Sequence, residues 1–210
     1  MLANKKIITR LLQYKDVLAR LKTLGFIKIF SDNIADASGT IPAQVRKDFS
    51  IYGISGSKRG GYNIDDLILE LNKILGKDKI TNVIVVGAGN IGTALIKYKL
   101  FEKENIKIIA GFDIDAKKIN ERAATPILHL DKMAEFIQQK NIRVAIITTP
   151  QVAAQHIADI LVGAGIKGIL NFSPAQLKSP EEVIIQNIHL QTELESLIYF
   201  VNAAKKERPE

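Results

Sequence analysis

Residues 83–95 read VIVVGAGNIGTAL. Four apolar residues, Val83 to Val86, run into three glycines spaced as G-x-G-x-x-G: Gly87, Gly89 and Gly92. A buried strand, such a turn and then a helix form the frame on which dinucleotides are held. Gly87 permits the tight turn from strand to helix. Gly89 has no side chain to hold a pyrophosphate off the backbone, and Gly92 lets the helix pack on the strand. Ala88, Asn90 and Ile91 complete the motif. The helix expected over 90–102 offers its free N–H groups and positive dipole end to the phosphates. Alone the signature is weak, but its surroundings strengthen it. A second strand ends at GFDID, which sets Asp113 about twenty residues past the last glycine, where an acid meets the adenosine ribose hydroxyls. A carboxylate there repels a 2′-phosphate, so NADH and NAD+ are expected rather than their phosphorylated forms. The stretch IITTPQ, 146–151, ends a later strand at the edge where such sheets bind ligands. Thr148, Thr149 and Pro150 are therefore candidates for the nicotinamide side. A plain Thr-Pro helix start is the competing reading.

The pattern around this motif is regular. From residue 79 short apolar runs (ITNVIVV, IKIIAGF, RVAIITT, IKGILNF, EVIIQNI) alternate with helical stretches (IGTALIKYKLF, DAKKINERA, DKMAEFIQQ, VAAQHIADILV). Runs of four to seven residues rich in Val and Ile suit strands buried on both faces. Their alternation with helices predicts βαβ units and a doubly wound parallel sheet. After it comes HLQTELESLIYFVNAAKK, a helix of about seventeen residues whose Leu190, Leu194, Leu197, Ile198 and Val201 form one stripe.

About eighty residues precede the motif. Residues 5–24 carry apolar positions at helical spacing and stop at Gly25. Ser31 can cap a short helix through Ser38, Gly39 makes a tight turn, and Thr40 can cap a second helix with Pro42 in its first turn. Two short helices joined by a glycine turn fit a helix-turn-helix. ISGSKRGGYN then suits a small hairpin with a basic tip, and Asn63 can cap a helix that ends at Gly76. In the second helix of the pair, Ile41, Val45 and Phe49 share one face. Ala43, Arg46, Lys47 and Ser50 share the other, and with Gln44 they are the candidates for contact with a major groove. Arg can read guanine as a bidentate donor there. Lys58 and Arg59 at the hairpin tip suit a wing on the backbone or minor groove. Taken singly, each basic residue reads as a solvated surface charge; the ordered set favours DNA.

Charge agrees with this division. The chain of 210 residues is +7 overall, yet residues 1–78 carry net +5 and residues 79–210 only +2. A basic module beside a near-neutral one suggests an acidic partner for the first, with nucleic acid foremost. There is no cysteine, which removes disulfides, Cys-zinc sites and cysteine nucleophiles. No apolar run approaches the ~20 residues of a membrane span. The N-terminus mixes charges with apolar residues, so no secretory signal is expected and the cytoplasm is the default.

Catalytic residues are harder to find. Hydride transfer needs an acid or base and a substrate pocket. His129 is expected before a helix and away from the strand edges, His156 on a helix surface, and His189 at the start of the last helix. No Ser-His-Asp set or metal-ligand spacing appears, and too little chain follows the nucleotide fold for a substrate domain.

In the order of QVRKDFSIYG, GSKRGGYN, VVGAGNIGTAL followed by Tyr98, GFDID, TTPQVAAQ, GIKGILNFSP and ELESL, the chain resembles the Rex family of redox-sensing transcriptional repressors over nearly its whole length. The resemblance implies a winged-helix DNA-binding domain at 1–78, a Rossmann NAD(H)-binding domain at 79–188 and a C-terminal dimerisation helix at 189–206 that swaps into the partner subunit. It implies a homodimer on a palindromic double-stranded operator, released by NADH, and control of fermentation and NADH-reoxidation genes. Tyr98 joins the cofactor site on the same ground, and partner residues near Tyr199 or Phe200 join the nicotinamide lining. The chain departs from the family at His189. Members usually carry an Asp there, which in some contacts, across the dimer, the residue matching Tyr98 or Arg10. Without the resemblance, the alternatives are a small NAD-dependent oxidoreductase with a helical extension and a nucleotide- or CoA-binding module with no DNA role.

Overall fold

The computed structural model describes residues 4–57 and 60–206, without the side chains of Lys205 and Lys206. It divides into two units, Met1–Lys79 and Ile80–Glu210.

In the first unit, α1 (Lys5–Thr23) starts where Asn4 accepts a hydrogen bond from the Lys6 N–H (2.9 Å). It buries Leu11, Tyr14 and Leu18 at i, i+3, i+7. A short strand β1 (Lys28–Ile29) follows, then α2 (Ser31–Ser38), α3 (Pro42–Ile51), β2 (Tyr62–Asn63) and α4 (Ile64–Ile74). β1 pairs antiparallel with β2, and β1 itself is too short to leave a periodic signal. The expected caps shift by one residue. Phe30, not Ser31, caps α2, because the Asn33 side chain reaches back to accept from the Phe30 N–H (3.2 Å). Ile41, not Thr40, caps α3, since Pro42 takes the first helical position, where a missing N–H costs nothing. Asn63 caps α4 as expected, accepting from the Asp65 and Asp66 N–H groups. Among the described residues of the expected hairpin, Ser57 bridges Gly61. The hairpin tip, Lys58 and Arg59, lies outside the described residues.

The second unit holds β3 (Thr81–Val86), α5 (Asn90–Ile96), α6 (Leu100–Lys103), β4 (Ile106–Asp113), β5 (Ile127–His129), α7 (Met133–Lys140), β6 (Val144–Ile147), α8 (Gln151–Gly163), β7 (Gly168–Asn171), β8 (Ile184–Asn187) and α9 (Leu190–Lys206). Six parallel strands run in the order β5-β4-β3-β6-β7-β8. The order reverses beside β3, so the crevice between β3 and β6 opens at their carboxyl ends, where ligands bind. One face of the sheet carries Ile84, Val86, Phe112 and Ile147 against α7 and α8. The other carries Val83, Val85, Ile108 and Ile146 against Leu95, Ile96 and Phe101.

Three expectations fail here. The helix over 90–102 breaks after Ile96, and a turn at Lys97–Lys99 lets α6 bring Phe101 onto the sheet. No helix forms over 115–123 beyond a single 3-10 turn at Ala116–Lys118. Instead Asn120 pairs with Ile127 in both directions (2.9 and 3.0 Å), which draws that segment along β5. His129, expected away from the strand edges, closes β5 in register with Asp113. At the C-terminus α9 has its predicted length but is exposed from Leu190 to Asn202.

Candidate dinucleotide site and DNA-facing helix

The glycine loop is built as the motif requires. Gly87 has φ +99°, a left-handed backbone that other residues seldom adopt. A Cβ on it would lie 2.9 Å from the Thr148 carbonyl. A Cβ on Gly92 would overlap the Gly87 carbonyl oxygen and stand 2.8 Å from Thr148 Oγ1. The Thr148 hydroxyl donates to the Gly87 carbonyl (2.6 Å), and its N–H donates to the Val86 carbonyl (2.9 Å). Thr148 thus pins the loop to the end of β6. Gly89 differs from both: its backbone is ordinary (φ −75°, ψ −165°), and a Cβ there would meet nothing within 4 Å. The loop keeps free space at the position where the motif places a pyrophosphate.

Asp113 ends β4 and is buried. Its Oδ2 accepts from the Ala88 N–H (2.7 Å) and from Lys118 Nζ (3.1 Å), and its Oδ1 from the Asp115 N–H (2.9 Å). Burial works to raise its pKa, but these three donors outweigh burial and hold it below the usual carboxylate range. Oδ1, with one partner, keeps acceptor capacity for a hydroxyl. The only sequence signal for Lys118 is a cation five residues past the acid; the 3-10 turn at Ala116–Lys118 that brings it back to Asp113 replaces an expected helix. Thr149 Oγ1 is buried and has no hydrogen-bond partner among the described residues. A buried hydroxyl is rarely left unmatched, so it fits a polar ligand group at this edge. Pro150 caps α8 and stands exposed beside it. Asn90 and Ile91 open α5, with Ile91 exposed. Tyr98 lies at the far end of α5 from the glycines, half-exposed, its ring edge-on to Phe101 at 5.0 Å. The residues present therefore fit a dinucleotide: open backbone at Gly89, a charged acceptor at Asp113 and an unmatched hydroxyl at Thr149.

On α3 the outer face is exposed as the spacing predicts, but the inner face differs: Ile41 is exposed and Asp48 takes its place in the core. Val45, Asp48 and Phe49 are buried, while Ala43, Arg46, Lys47 and Ser50 are exposed. Phe49 anchors the helix edge-on to Tyr14 (5.7 Å) and Tyr62 (5.3 Å). Arg46 is tethered to the start of α2, donating to Ser31 Oγ (3.0 Å) and facing Asp32 (3.5 Å). Gln44 turns away from the exposed face and donates to Asp48 Oδ1 (2.7 Å).

Comparison with known proteins matches this division. Residues 5–50 match the family model of a putative DNA-binding protein N-terminus, and residues 78–175 match that of a CoA binding domain. A curated relative from Bacillus pumilus, the redox-sensing transcriptional repressor Rex, is 43% identical over 194 residues, 91% of this chain and 89% of that protein. The chain belongs to the Rex family of redox-sensing transcriptional repressors. The solved Rex-family repressor RSP, in complex with β-NAD+ and operator DNA, superposes with a TM-score of 0.92 at 34% identity, covering 98% of this chain and 95% of that one. RSP in complex with β-NADH gives 0.86 at 34% identity, covering 98% and 97%. Rex relatives are named as repressors rather than enzymes.

Proposed function

We propose that this Rex-family chain grips operator DNA with its winged unit and loses that grip when NADH enters its Rossmann unit. The observation that carries the reading is a ligand-ready glycine loop, open at Gly89 and flanked by the unmatched Thr149 hydroxyl, in the same chain as a winged helix exposing Arg46, Lys47 and Ser50. The complexes of RSP with NADH and with NAD+ and operator DNA support the same ligands here. The loop Gly87–Gly92 carries the pyrophosphate, Asp113 takes the ribose hydroxyls, and Thr149 and Pro150 line the nicotinamide side; Tyr98 belongs to the site only on the family resemblance. The nicotinamide supplies the signal: its oxidised ring is cationic and its reduced ring neutral, so an apolar lining favours the reduced form. NADH shifts the protein only by its differential affinity for the two conformations, typically ~1–3 kcal/mol. A repressor released by NADH suits genes whose products reoxidise it, and it acts in the cytoplasm, where that DNA lies.

Two copies of the chain make the working unit. Along α9, Leu190, Leu194, Leu197 and Ile198 are each 50–59% exposed, and Tyr199 and Phe200 more so. An apolar stripe this long needs a partner, and a second copy supplies one with two-fold symmetry to match a palindrome. The test is fluorescence anisotropy of a palindromic duplex selected by the protein from random-sequence DNA, titrated with protein and then with NADH or NAD+. NADH should release the duplex and NAD+ should do so less. Absence of sequence-specific binding refutes the repressor reading; binding indifferent to both nucleotides refutes the sensor. Sedimentation at equilibrium should give a dimer of mass near twice 23.2 kDa.

A further inference from the structure

Asp48 is fully buried on the inner face of the DNA-facing helix, between Val45 and Phe49. A carboxylate there is costly unless both oxygens are matched. They are matched from two helices. The Arg10 fork spans it, Nε to Oδ2 at 2.6 Å and Nη2 to Oδ1 at 2.7 Å. The Tyr14 hydroxyl donates to Oδ2 (3.0 Å) and the Gln44 amide to Oδ1 (2.7 Å). Arg10 and Tyr14 are one turn apart on α1, and Gln44 and Asp48 one turn apart on α3.

An apolar residue at 48 would serve packing at least as well, because a buried ion pair is a poor source of net stability. What the pair adds is angle. Val45 and Phe49 make non-directional contacts that tolerate small rotations of α3. A planar guanidinium meeting a carboxylate through two parallel bonds does not. Rotation of α3 decides which exposed side chains face a groove, and base contacts are sensitive to that orientation.

We propose that Asp48, held by Arg10 and Tyr14, is the positioning residue of the DNA-reading helix, and that Gln44 belongs to this network rather than to the base-reading set. The proposal rests on the DNA-binding reading above. Arg10 is used inside its own unit, with two of its donors on Asp48. Its raised pKa and the lowered pKa of Asp48, where the hydrogen bonds outweigh burial, agree with that engagement.

The test compares the full-length protein with Arg10→Met/Asp48→Leu, which replaces the pair by apolar residues without changing net charge, and with Asp48→Asn. Each is titrated into the palindrome selected by the wild type and into a scrambled duplex of equal composition. The double variant should melt cooperatively, lose about tenfold or more in affinity for the palindrome and stay within about twofold on the scrambled duplex. Its salt slope should be unchanged, because no phosphate contact is lost. A parallel loss on both duplexes makes Arg10 a phosphate contact and overturns the proposal; so does no loss on either. If the double variant fails to fold, Asp48→Asn is read by the same criteria. Gln44→Ala should weaken the palindrome without relaxing any single base position. Relaxation at one position alone makes Gln44 a base reader and also refutes the assignment. If the wild type itself fails to discriminate the two duplexes, the DNA-binding reading falls; if it discriminates and the variants match it, only this proposal falls.

Discussion

Gly89→Ala separates what the fold needs from what the ligand needs. The Gly89 backbone is one any residue adopts, and a Cβ there meets nothing within 4 Å. The ligand-free protein should therefore keep its stability or gain a little, since Ala has less chain entropy to lose, an effect of about 0.4–1 kcal/mol at most. The same methyl occupies the space assigned to the pyrophosphate. Pushing the phosphates back costs about two charge-assisted N–H bonds of ~1.5 kcal/mol each, together ~3 kcal/mol, or on the order of 100-fold in NADH affinity. In a thermal melt at NADH about 100 times the wild-type Kd, the wild type gains ~2.7 kcal/mol and the variant only ~0.4. At roughly 2–4 °C per kcal/mol, the missing shift is on the order of 5–9 °C. Gly92→Ala is the control. Its methyl overlaps the Gly87 carbonyl and crowds Thr148 Oγ1, so it should lose about 1–3 kcal/mol before any ligand is added. The reasoning is refuted if Gly89→Ala binds NADH within about threefold of wild type, or if its ligand-free melt falls as far as that of Gly92→Ala.

Asp113→Asn should weaken NADH by about tenfold, as expected for loss of a charged acceptor, measured by NADH fluorescence. Because the Asp113 pKa is depressed in the folded protein, its contribution to stability is full above the unfolded value near pH 3.9 and is lost as pH falls through the folded value; the gap in melting temperature between wild type and Asp113→Asn should be flat above about pH 5 and close below it. The Tyr14 hydroxyl is pushed up to about 12, first by burial and then by its bond to Asp48, so its contribution is full below pH ~10 and lost as pH rises through ~12. Burial also raises Tyr62, so in an alkaline absorbance titration of the five tyrosines the decisive observation is that Tyr14→Phe should lack the step near pH 12. Arg46→Ala should cost about 1–3 kcal/mol on the selected palindrome and relax preference at one base position, read by anisotropy against single-base variants, whereas Asp32→Ala, which frees an exposed tether, should change affinity by less than ~1 kcal/mol.

The sequence exposed those parts of the fold that repeat or that need glycine. The strand–glycine–helix motif, the alternating apolar runs and the length of α9 all survive in the structure, because each is set by local periodicity or by a backbone only glycine tolerates. The failures have two causes. The caps at Phe30 and Ile41 are set locally by Asn33 and Pro42, whereas the break after Ile96 and the missing helix over 115–123 depend on where neighbouring chain wants to go. Phe101 is drawn onto the sheet and Asn120 onto Ile127, and tertiary gain overrode propensity in both. The sequence places Thr149 at the strand edge, but its unmatched hydroxyl becomes visible only with the surrounding atoms in place.

Asp48 shows where a sequence can say more than periodicity alone extracts from it. Counting apolar residues on α3 gives Ile41, Val45 and Phe49 as the inner face, yet Ile41 is 64% exposed and Asp48 is fully buried. The face is rotated toward Val45, Asp48 and Phe49, at i, i+3 and i+4, with a charge in the middle. A carboxylate at a core-facing position demands a fixed cation and further donors. One turn of α1 supplies both, Arg10 and Tyr14 at i and i+4, where the pattern had shown only an amphipathic helix. The same carboxylate recruits Gln44 from the outer set. A residue that looks misplaced on a helix face is thus a statement about its neighbours, and here it moves one side chain out of the DNA-reading set and brings two residues of a different helix into the argument about how that set is aimed.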